Sequence, residues 1–246
     1  MLLGVDGLSK SFGALAALSE VSFAIAPGEL VALIGPNGAG KSTLFNLISG
    51  ILAPDTGAIT FAGERISSLP PHRIAHRGIG LAFQITNVFA RLTVLENIQV
   101  ALFSARGRSG SLLSFGPRTL RGEALEILDA IGLADAAPVT AGELAQADKK
   151  RLEVGIALAV RPRLLLLDEP TSGQSMEETA LTTELIRTIN EKQALTVLFI
   201  EHKMDVVFGI ARRVLVLHNG RLIADGDPLA VRSDEQVQKA YLGATA

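Results

Sequence analysis

The sequence predicts an α/β fold with a mostly parallel sheet, because short apolar runs alternate with segments of helical spacing. Leu30–Ile34, residues 164–167 and Thr196–Ile200 are largely apolar runs, the pattern of strands that are buried on both faces. A glycine-rich loop follows the first run and leads into a segment of helical spacing at residues 41–51. Residues 85–159 have helical character, so we expect an α-helical subdomain inserted into the sheet-bearing core.

Turn residues and periodicity predict the remaining elements. A weakly alternating run at residues 58–62 follows a turn that contains Gly57, which predicts an edge strand of an antiparallel β subdomain. Asn219-Gly220 tolerates the positive φ angles of a type I′ turn and predicts a hairpin between residues 214–217 and 221–224. Helical spacing predicts three further helices, at residues 95–103, 123–131 and 177–190.

Composition limits the classes of function. Lys plus Arg number 23 and Asp plus Glu number 25, a formal net charge of −2, which argues against a nucleic-acid-binding protein. Cysteine is absent, so a disulfide framework and a cysteine-ligated metal site are excluded. We expect no secretory signal and no membrane span, because no apolar run approaches the ~20 residues that a bilayer requires. The mean hydropathy of +0.36 indicates either a large aliphatic core, the simpler explanation, or a face docked on a membrane partner.

A phosphate-binding loop is predicted at residues 35–43, which match the pattern G-x-x-x-x-G-K-[ST]. Glycines let the backbone wrap so that its N–H groups point at phosphate oxygens, and the following helix N-terminus adds partial positive charge. We expect Lys41 to reach the β- and γ-phosphates of a nucleotide and Ser42 to ligate Mg²⁺. A glycine-rich turn without chemical use is the alternative, but the loop lies between a predicted strand and a predicted helix, as the motif requires. The nucleotide-contacting positions are Gly35, Pro36, Asn37, Gly38, Ala39, Gly40, Lys41, Ser42 and Thr43.

Two carboxylates, Asp168 and Glu169, follow the apolar run at residues 164–167. A buried parallel strand delivers such side chains at its carboxyl end, beside the phosphate loop. We expect Asp168 to hold the metal through water and Glu169 to polarise the attacking water. Solvated acids at a strand end are the alternative, which the pairing with a phosphate loop makes the weaker one. Together the two motifs predict a nucleoside triphosphatase, with ATP and Mg²⁺ as its cofactors.

Two further polar sites follow predicted strands. Gln84 ends a strand that begins near Leu81, and Glu201-His202 follows Thr196–Ile200. With the phosphate loop, Gln84, the paired carboxylates and His202 placed as they are along the sequence, the chain resembles the ABC ATPase family over essentially its whole length. The resemblance implies an α/β fold of the P-loop NTPase (RecA-like) class, with a mostly parallel sheet, an antiparallel β subdomain and an inserted α-helical subdomain. It implies that Gln84 contacts Mg²⁺ and senses the transporter, that His202 contacts the γ-phosphate, and that Lys41, Glu169 and His202 are the catalytic residues.

The resemblance also implies a domain division: residues 1–246 form one domain, with a core lobe at about 1–84 and 160–246 and a helical lobe at about 85–159. Phe12, in Ser11-Phe12-Gly13, matches the adenine-stacking aromatic of the family, although a plain core residue is an equal alternative.

Two motifs depart from the family pattern. The segment called the D-loop, residues 172–175, lacks its usual Asp. The signature segment, usually Leu-Ser-Gly-Gly-Gln, reads Leu-Ala-Gln-Ala-Asp here, with Ala145 in place of Ser and Ala147 in place of the second Gly. Ala145 cannot supply the hydroxyl that the family presents to the γ-phosphate bound by the opposite subunit, and the Cβ of Ala147 hinders close approach. The basic run at residues 149–151 is either phosphate-seeking or a solvated face, and we favour the solvated face because it is usual for charged residues near the start of a helix.

The segments before and after Gln84, together with the C-terminal Ala-Tyr-Leu-Gly, resemble the branched-chain amino acid importer branch, whose insertion coincides with the Ser/Gly/Arg-rich residues 104–118. The resemblance implies transmembrane permeases, a substrate-binding protein acting indirectly, and a second ATPase subunit or a second copy as partners, at the cytoplasmic face of the plasma membrane. We expect four apolar residues to line a groove that receives a short permease helix: Ile85, Val88, Phe89 and Leu92.

The alternatives that remain open are an importer of urea, amides or organic acids, and a non-transport ABC ATPase. The latter normally carries tandem cassettes or a long coiled-coil insertion, and this sequence has neither. A metabolic P-loop kinase would lack the polar residues that correspond to Gln84 and His202.

Overall fold

A computed structural model describes residues 1–82, 88–106 and 120–242 of the chain. The strands within these ranges are β1 Leu3–Phe12, β2 Leu15–Ile25, β3 Leu30–Ile34, β4 Thr56–Phe61, β5 Glu64–Arg65, β6 Ile79–Ala82, β7 Leu164–Asp168, β8 Thr196–Ile200, β9 Arg213–His218 and β10 Arg221–Gly226. The helices are α1 Lys41–Ile48, α2 Pro71–His76, α3 Val94–Ala105, α4 Arg121–Ala130, α5 Gln146–Leu158, α6 Met176–Gln193, α7 Met204–Ile210, α8 Pro228–Ser233 and α9 Glu235–Leu242.

The main sheet has six strands in the order β10-β9-β3-β8-β7-β6. Every neighbouring pair is parallel except the β9–β10 hairpin, so the predicted mostly parallel sheet is confirmed. The hairpin turns at Asn219 and Gly220, whose φ angles of 49° and 73° are those of the predicted turn. Because β3, β8 and β7 are adjacent and parallel, their carboxyl ends meet at one edge of the sheet, where ligands bind in such folds.

The second sheet is antiparallel, in the order β2-β1-β4-β5. The predicted strand at residues 58–62 is β4, but the prediction that it lies at an edge is wrong, because it pairs with β1 on one side and β5 on the other. Gly57 lies inside β4 instead of in the preceding turn. An added Cβ at Gly57 would come within 2.5 Å of the Gly7 carbonyl oxygen, so the close approach of β1 requires glycine there.

Two apolar cores lie on opposite faces of the main sheet, and the alternation of β3 separates them. Leu30, Ala32 and Ile34 face the core that also contains the helices α3, α4, α5 and α6. Val31 and Leu33 face the core that contains α1 and the antiparallel sheet. The helical segment and the antiparallel sheet therefore cover the two faces, as parallel strands require.

Helix ends follow local capping chemistry. The helix α1 stops at Ile48, three residues before the predicted end, because Gly50 has a φ of 76° and breaks the helical path. The helix α3 begins with a capping box between Thr93 and Glu96, and its bounds extend the prediction by one or two residues at each end. Within the described ranges, the structure contains no helix that has both the length and the apolar character to cross a bilayer.

Candidate active site

The predicted phosphate loop connects β3 to α1, as the motif requires. At two positions of the loop, the neighbouring backbone leaves no room for any residue except glycine. An added Cβ at Gly35 would lie 2.2 Å from the carbonyl oxygen of Leu217 in β9, and one at Gly40 would lie 2.5 Å from that of Ala17 in β2. The loop is therefore held between the two sheets, which fixes the direction of its N–H groups.

Lys41 is the first residue of α1 and is only 6% exposed. Its Nζ donates to the carbonyl oxygens of Gly35 at 2.7 Å and Pro36 at 3.0 Å, inside the loop. Burial lowers the pKa of Lys41, and the nearby carboxylates of Glu169 and Asp168 act against this shift. The ammonium group thus lies between the loop and the two predicted carboxylates.

A cleft of about 310 Å³ brings most of the predicted residues together. Phe12 lines it and is 48% exposed, so the alternative of a plain core residue is wrong. Leu15, at the start of β2, lines the same wall and is 68% exposed, which sequence analysis missed. The other lining residues are Ala16, Ala17, Asn37, Gly38, Ala39, Gly40, Lys41, Ser42, Thr43, Glu169 and His202.

The paired carboxylates end β7 and differ in environment. Burial raises the pKa of Asp168, and the adjacent Glu169 raises it further, whereas Lys41 opposes both effects. Glu169 has a φ of 50°, in the left-handed region that non-glycine residues rarely adopt. Its Oε1 lies 2.9 Å from Nε2 of His202, and its side chain is 20% exposed. Glu169 therefore lines the cleft, whereas Asp168 does not line it and instead borders a small cavity beside Lys150.

This chemistry fits a Mg²⁺ ion that is completed by a nucleotide. Among the described residues, no group of three His, Cys, Asp or Glu side chains is arranged to hold a metal ion by itself. Magnesium commonly binds through one or two carboxylates together with substrate phosphates, so a dedicated cage is unnecessary. The Ser42 hydroxyl and the Asp168 carboxylate are ligands of the oxygen type that it prefers.

Glu201 and Lys203 anchor the segment behind the carboxylates, and sequence analysis gave neither residue a role. Glu201 is 2% exposed and accepts hydrogen bonds from N–H and Oγ1 of Thr171 and from N–H of His202. Lys203 Nζ donates to the carbonyl oxygens of Thr171 and Gln174, each at 3.2 Å. For Glu201 the available signal was a charged residue directly after a largely apolar strand.

The D-loop segment leads into the helix α6. Ser175 is the N-cap of α6 and forms a capping box with Glu178. Gln174 is 9% exposed and its Nε2 donates to the Pro170 carbonyl oxygen at 3.3 Å. Its Oε1 has no hydrogen-bond partner within the described part of the chain. Ser175 therefore supplies the cap of α6.

The altered signature forms the start of α5. Ala145 is its exposed N-cap, with φ −60° and ψ 158°, and an alanine methyl cannot accept a hydrogen bond from the helix. Ala147 is 4% exposed and so packs inside the chain, which leaves Ala145 and Gln146 as the accessible part of the motif. Asp148 forms an ion pair of 2.9 Å with Arg151.

The prediction that residues 149–151 form a solvated face is wrong for Lys150. This residue is 7% exposed, and its Nζ donates to the Glu169 carbonyl oxygen at 2.7 Å and to Oγ of Ser172 at 2.6 Å. The reason is that α5 packs against β6 and against β7, the strand that leads to the two carboxylates.

Gln84 and Ile85 lie outside the described residues, as do residues 107–119 of the predicted insertion. In the segment that follows Gln84 and Ile85, the side chain of Phe89 is 56% exposed, while Val88 packs against the core. Asn97, 1% exposed, fixes this turn: its Oδ1 accepts from Phe89 N–H at 2.8 Å, and its Nδ2 donates to the carbonyl oxygens of Phe89 at 3.2 Å and Thr93 at 2.9 Å.

Known proteins are similar to this chain in sequence and in fold. The family model described as ABC transporter matches residues 18–172, and one described as branched-chain amino acid ATP-binding cassette transporter matches residues 221–246. The high-affinity branched-chain amino acid transport ATP-binding protein LivG of Escherichia coli (strain K12) is 38% identical over 98% of each chain. The ADP conformation of MJ1267, an ATP-binding cassette of an ABC transporter, has a TM-score of 0.87 at 31% identity over 98% of each chain.

A dimeric post-hydrolysis state of the ATP-binding cassette MJ0796, bound to ADP and Pi, has a TM-score of 0.80 at 25% identity, covering 92% of this chain and 99% of that one. The first family model spans more than half of the sequence, and LivG matches nearly all of it. The chain therefore belongs to the ABC transporter family, as an ATP-binding cassette.

Proposed function

We propose that this chain hydrolyses ATP to power an importer of branched-chain amino acids, attached to permeases at the cytoplasmic face of the membrane. The observation that carries the proposal is one cleft lined by the phosphate loop, Phe12, Glu169 and His202. The substrate class is supported by the likeness to LivG and by the family match at residues 221–246. One domain of residues 1–246, with the lobes divided near residues 84 and 160, accommodates this role.

Nucleotide binding follows from the walls of the cleft. Phe12 and Leu15 offer an exposed apolar surface for the adenine ring. The phosphate loop offers backbone N–H groups, and Lys41 offers a cation for the β- and γ-phosphates. Ser42, Asp168 and Gln84 would hold Mg²⁺, which supplies charge neutralisation at the phosphates when bound.

Hydrolysis requires a water that attacks the γ-phosphorus while the bond to the ADP oxygen breaks, giving ADP and phosphate. Glu169 accepts a proton from that water as the general base. Nε2 of His202 lies 2.9 Å from the Glu169 carboxylate, which orients the base, and the imidazole would present an N–H donor to the γ-phosphate once nucleotide is bound. Lys41 stabilises the negative charge on the phosphate oxygens.

The active unit is a dimer of cassettes, in which the signature of one subunit completes the nucleotide site of the other. The dimeric state of MJ0796 supports this arrangement. Ala145 gives this chain a weak signature, while its own phosphate loop, carboxylates and His202 are intact. We therefore favour a heterodimer with a second ATPase whose signature carries Ser and Gly, over a homodimer with two weakened sites.

The permease contact involves the exposed apolar surface after β6. Phe89 is 56% exposed and its backbone is held by the buried Asn97, so a large apolar side chain is presented on a fixed turn. An apolar cleft of about 260 Å³ is lined by residues of α2, β6 and α5 and by the segment that follows α1, and includes Ile51 and Ile79. A short apolar permease helix fits a surface of this kind.

The test is hydrolysis by Glu169→Gln. A neutral amide cannot act as the base, so steady-state hydrolysis should fall at least 100-fold. Binding of a fluorescent ATP analogue should stay within about threefold of wild type, because the phosphate loop is unchanged. Glu126→Gln on the exposed face of α4 is the matched control. Near wild-type hydrolysis by Glu169→Gln would overturn the assignment.

Co-purification with permeases distinguishes an importer subunit from a non-transport ABC ATPase, because only the importer subunit is retained by permeases. Stimulation of hydrolysis by a binding protein loaded with leucine, but not with urea or an organic acid, supports the branched-chain class. Stimulation by urea or an organic acid alone would contradict it.

A further inference from the structure

Lys150 lies on α5 and contacts the segment that carries the predicted base, Glu169. It lies four residues after the start of that helix and is 7% exposed. Its Nζ donates to the carbonyl oxygen of Glu169 at 2.7 Å and to Oγ of Ser172 at 2.6 Å. One ammonium group therefore joins the signature helix to both the base and the D-loop of the same chain.

The residue that Lys150 holds has an unusual backbone. Glu169 has a φ of 50°, a conformation that surrounding contacts must maintain in a non-glycine residue. Its N–H donates to the Ile200 carbonyl oxygen at 3.0 Å, and its carboxylate contacts His202. Its carbonyl oxygen accepts from Lys150 and also from Ser172 N–H at 3.1 Å. Lys150 is thus a direct contact between α5 and the peptide that carries the base.

The surroundings keep this lysine in place. Burial lowers the pKa of Lys150, while four carboxylates act to raise it, in the order Glu153, Glu201, Glu169 and Asp168. The cavity beside it measures about 10 Å³, the space of a single water at most, so the lysine is closely packed. A charged donor to a carbonyl is also a stronger contact than a neutral one.

We propose that Lys150 is a positioning residue that couples the orientation of the signature helix to the placement of Glu169 within one subunit. The inference rests on the proposed role of Glu169 as the base. When α5 shifts, the Glu169 peptide shifts with it, so hydrolysis depends on where this helix lies. ATP itself binds at the phosphate loop, which Lys150 does not contact in the structure, so the coupling acts on turnover more than on affinity.

The experiment compares Lys150→Met, Lys150→Arg and Ser172→Ala in the full chain purified with its partner subunits, with Lys192→Met on the exposed face of α6 as the control. Hydrolysis, affinity for a fluorescent ATP analogue and thermal unfolding are measured for each. We expect Lys150→Met to lower kcat at least tenfold, with KM and nucleotide affinity within about twofold. Lys150→Arg should restore kcat to within about threefold of wild type, and Lys192→Met should match wild type.

Wild-type kcat in Lys150→Met overturns the proposal, as does a loss of nucleotide affinity that parallels the loss of kcat. Failure of Lys150→Arg to restore turnover, in a protein that unfolds at the wild-type temperature, also overturns it. If Lys150→Met does not fold, Ser172→Ala decides: a two- to fivefold loss of kcat at unchanged affinity supports the coupling, and no loss contradicts it. Glu169→Gln in the same preparation separates the two claims, because active Glu169→Gln refutes the base, whereas inactive Glu169→Gln beside active Lys150→Met refutes only the coupling.

Discussion

Replacing Ala145 with serine tests the weak signature at a single atom. Ala145 is the N-cap of α5, and its ψ of 158° is the extended geometry from which a serine hydroxyl accepts an N–H of the first turn. Ala→Ser at an N-cap should stabilise the chain by about 1 kcal/mol. For a chain of this length, that change raises Tm by roughly 2–4 °C.

The same hydroxyl would face the nucleotide of the opposing subunit. A hydrogen bond to a charged group contributes about 1.5–3 kcal/mol, which corresponds to roughly a ten- to hundredfold gain in affinity or rate. Ala147→Gly has the opposite effect on stability, because Ala147 is 4% exposed and glycine in a helix costs about 1 kcal/mol. The two replacements therefore need to be measured singly before they are combined.

The assay pairs thermal unfolding of the purified chain with its steady-state ATP hydrolysis, at concentrations that allow a homodimer. Ala145→Asp is the matched control, since aspartate caps the helix as well as serine does but brings a negative charge towards phosphate. We expect both variants to raise Tm and only Ala145→Ser to raise hydrolysis. Equal hydrolysis by the two variants, or brisk hydrolysis by the unmodified chain with no gain from serine, would refute the reasoning.

Three further changes have defined outcomes. Asn97→Ala removes the side-chain hydrogen bonds to Phe89 and Thr93, which are the three of 3.2 Å or shorter, and at about 1 kcal/mol each should lower the free energy of unfolding by about 3 kcal/mol, measured by urea denaturation. Phe89→Asp should weaken co-purification with the permeases while nucleotide affinity stays unchanged, and Leu229→Asp, 74% exposed on α8, is its control. His202→Ala should slow turnover at least tenfold with little change in ATP binding, measured by steady-state kinetics.

Each of these has an outcome that contradicts it. A loss below about 1 kcal/mol for Asn97→Ala would mean that the turn does not depend on its amide. Permease retention by Phe89→Asp equal to that of Leu229→Asp would move the contact to another surface. Unchanged turnover in His202→Ala would remove the imidazole from the mechanism.

Strong local chemistry made part of the fold predictable. The strands β3 and β8 have the predicted bounds because their apolar runs are short and end at glycine or charged residues. The β9–β10 hairpin was predictable from Asn219-Gly220, whose φ angles few other pairs adopt. The long strands β1 and β2 were not recognised, because three register shifts break the alternation that identifies a strand.

The candidate site divides in the same way. Contiguous motifs, such as the phosphate loop and the carboxylates after β7, were recognisable in the sequence because their residues are consecutive in the chain and therefore stay adjacent in the fold. Lys150 was misassigned because sequence gives the spacing of a helix face but not the element that packs against it. Leu15 and Glu201 were missed because each acts through residues distant in sequence.

ATP-driven uptake in proteoliposomes tests the central claim most directly. The vesicles would contain this chain, its partner ATPase and the permeases. Uptake of labelled leucine would be followed with the binding protein on the side of the leucine and ATP on the side of the ATPase subunits. We expect wild type to couple hydrolysis to leucine uptake, whereas Glu169→Gln should bind ATP but support neither. Leucine uptake by Glu169→Gln at the wild-type rate, or wild-type hydrolysis without any ATP-dependent uptake, would contradict it.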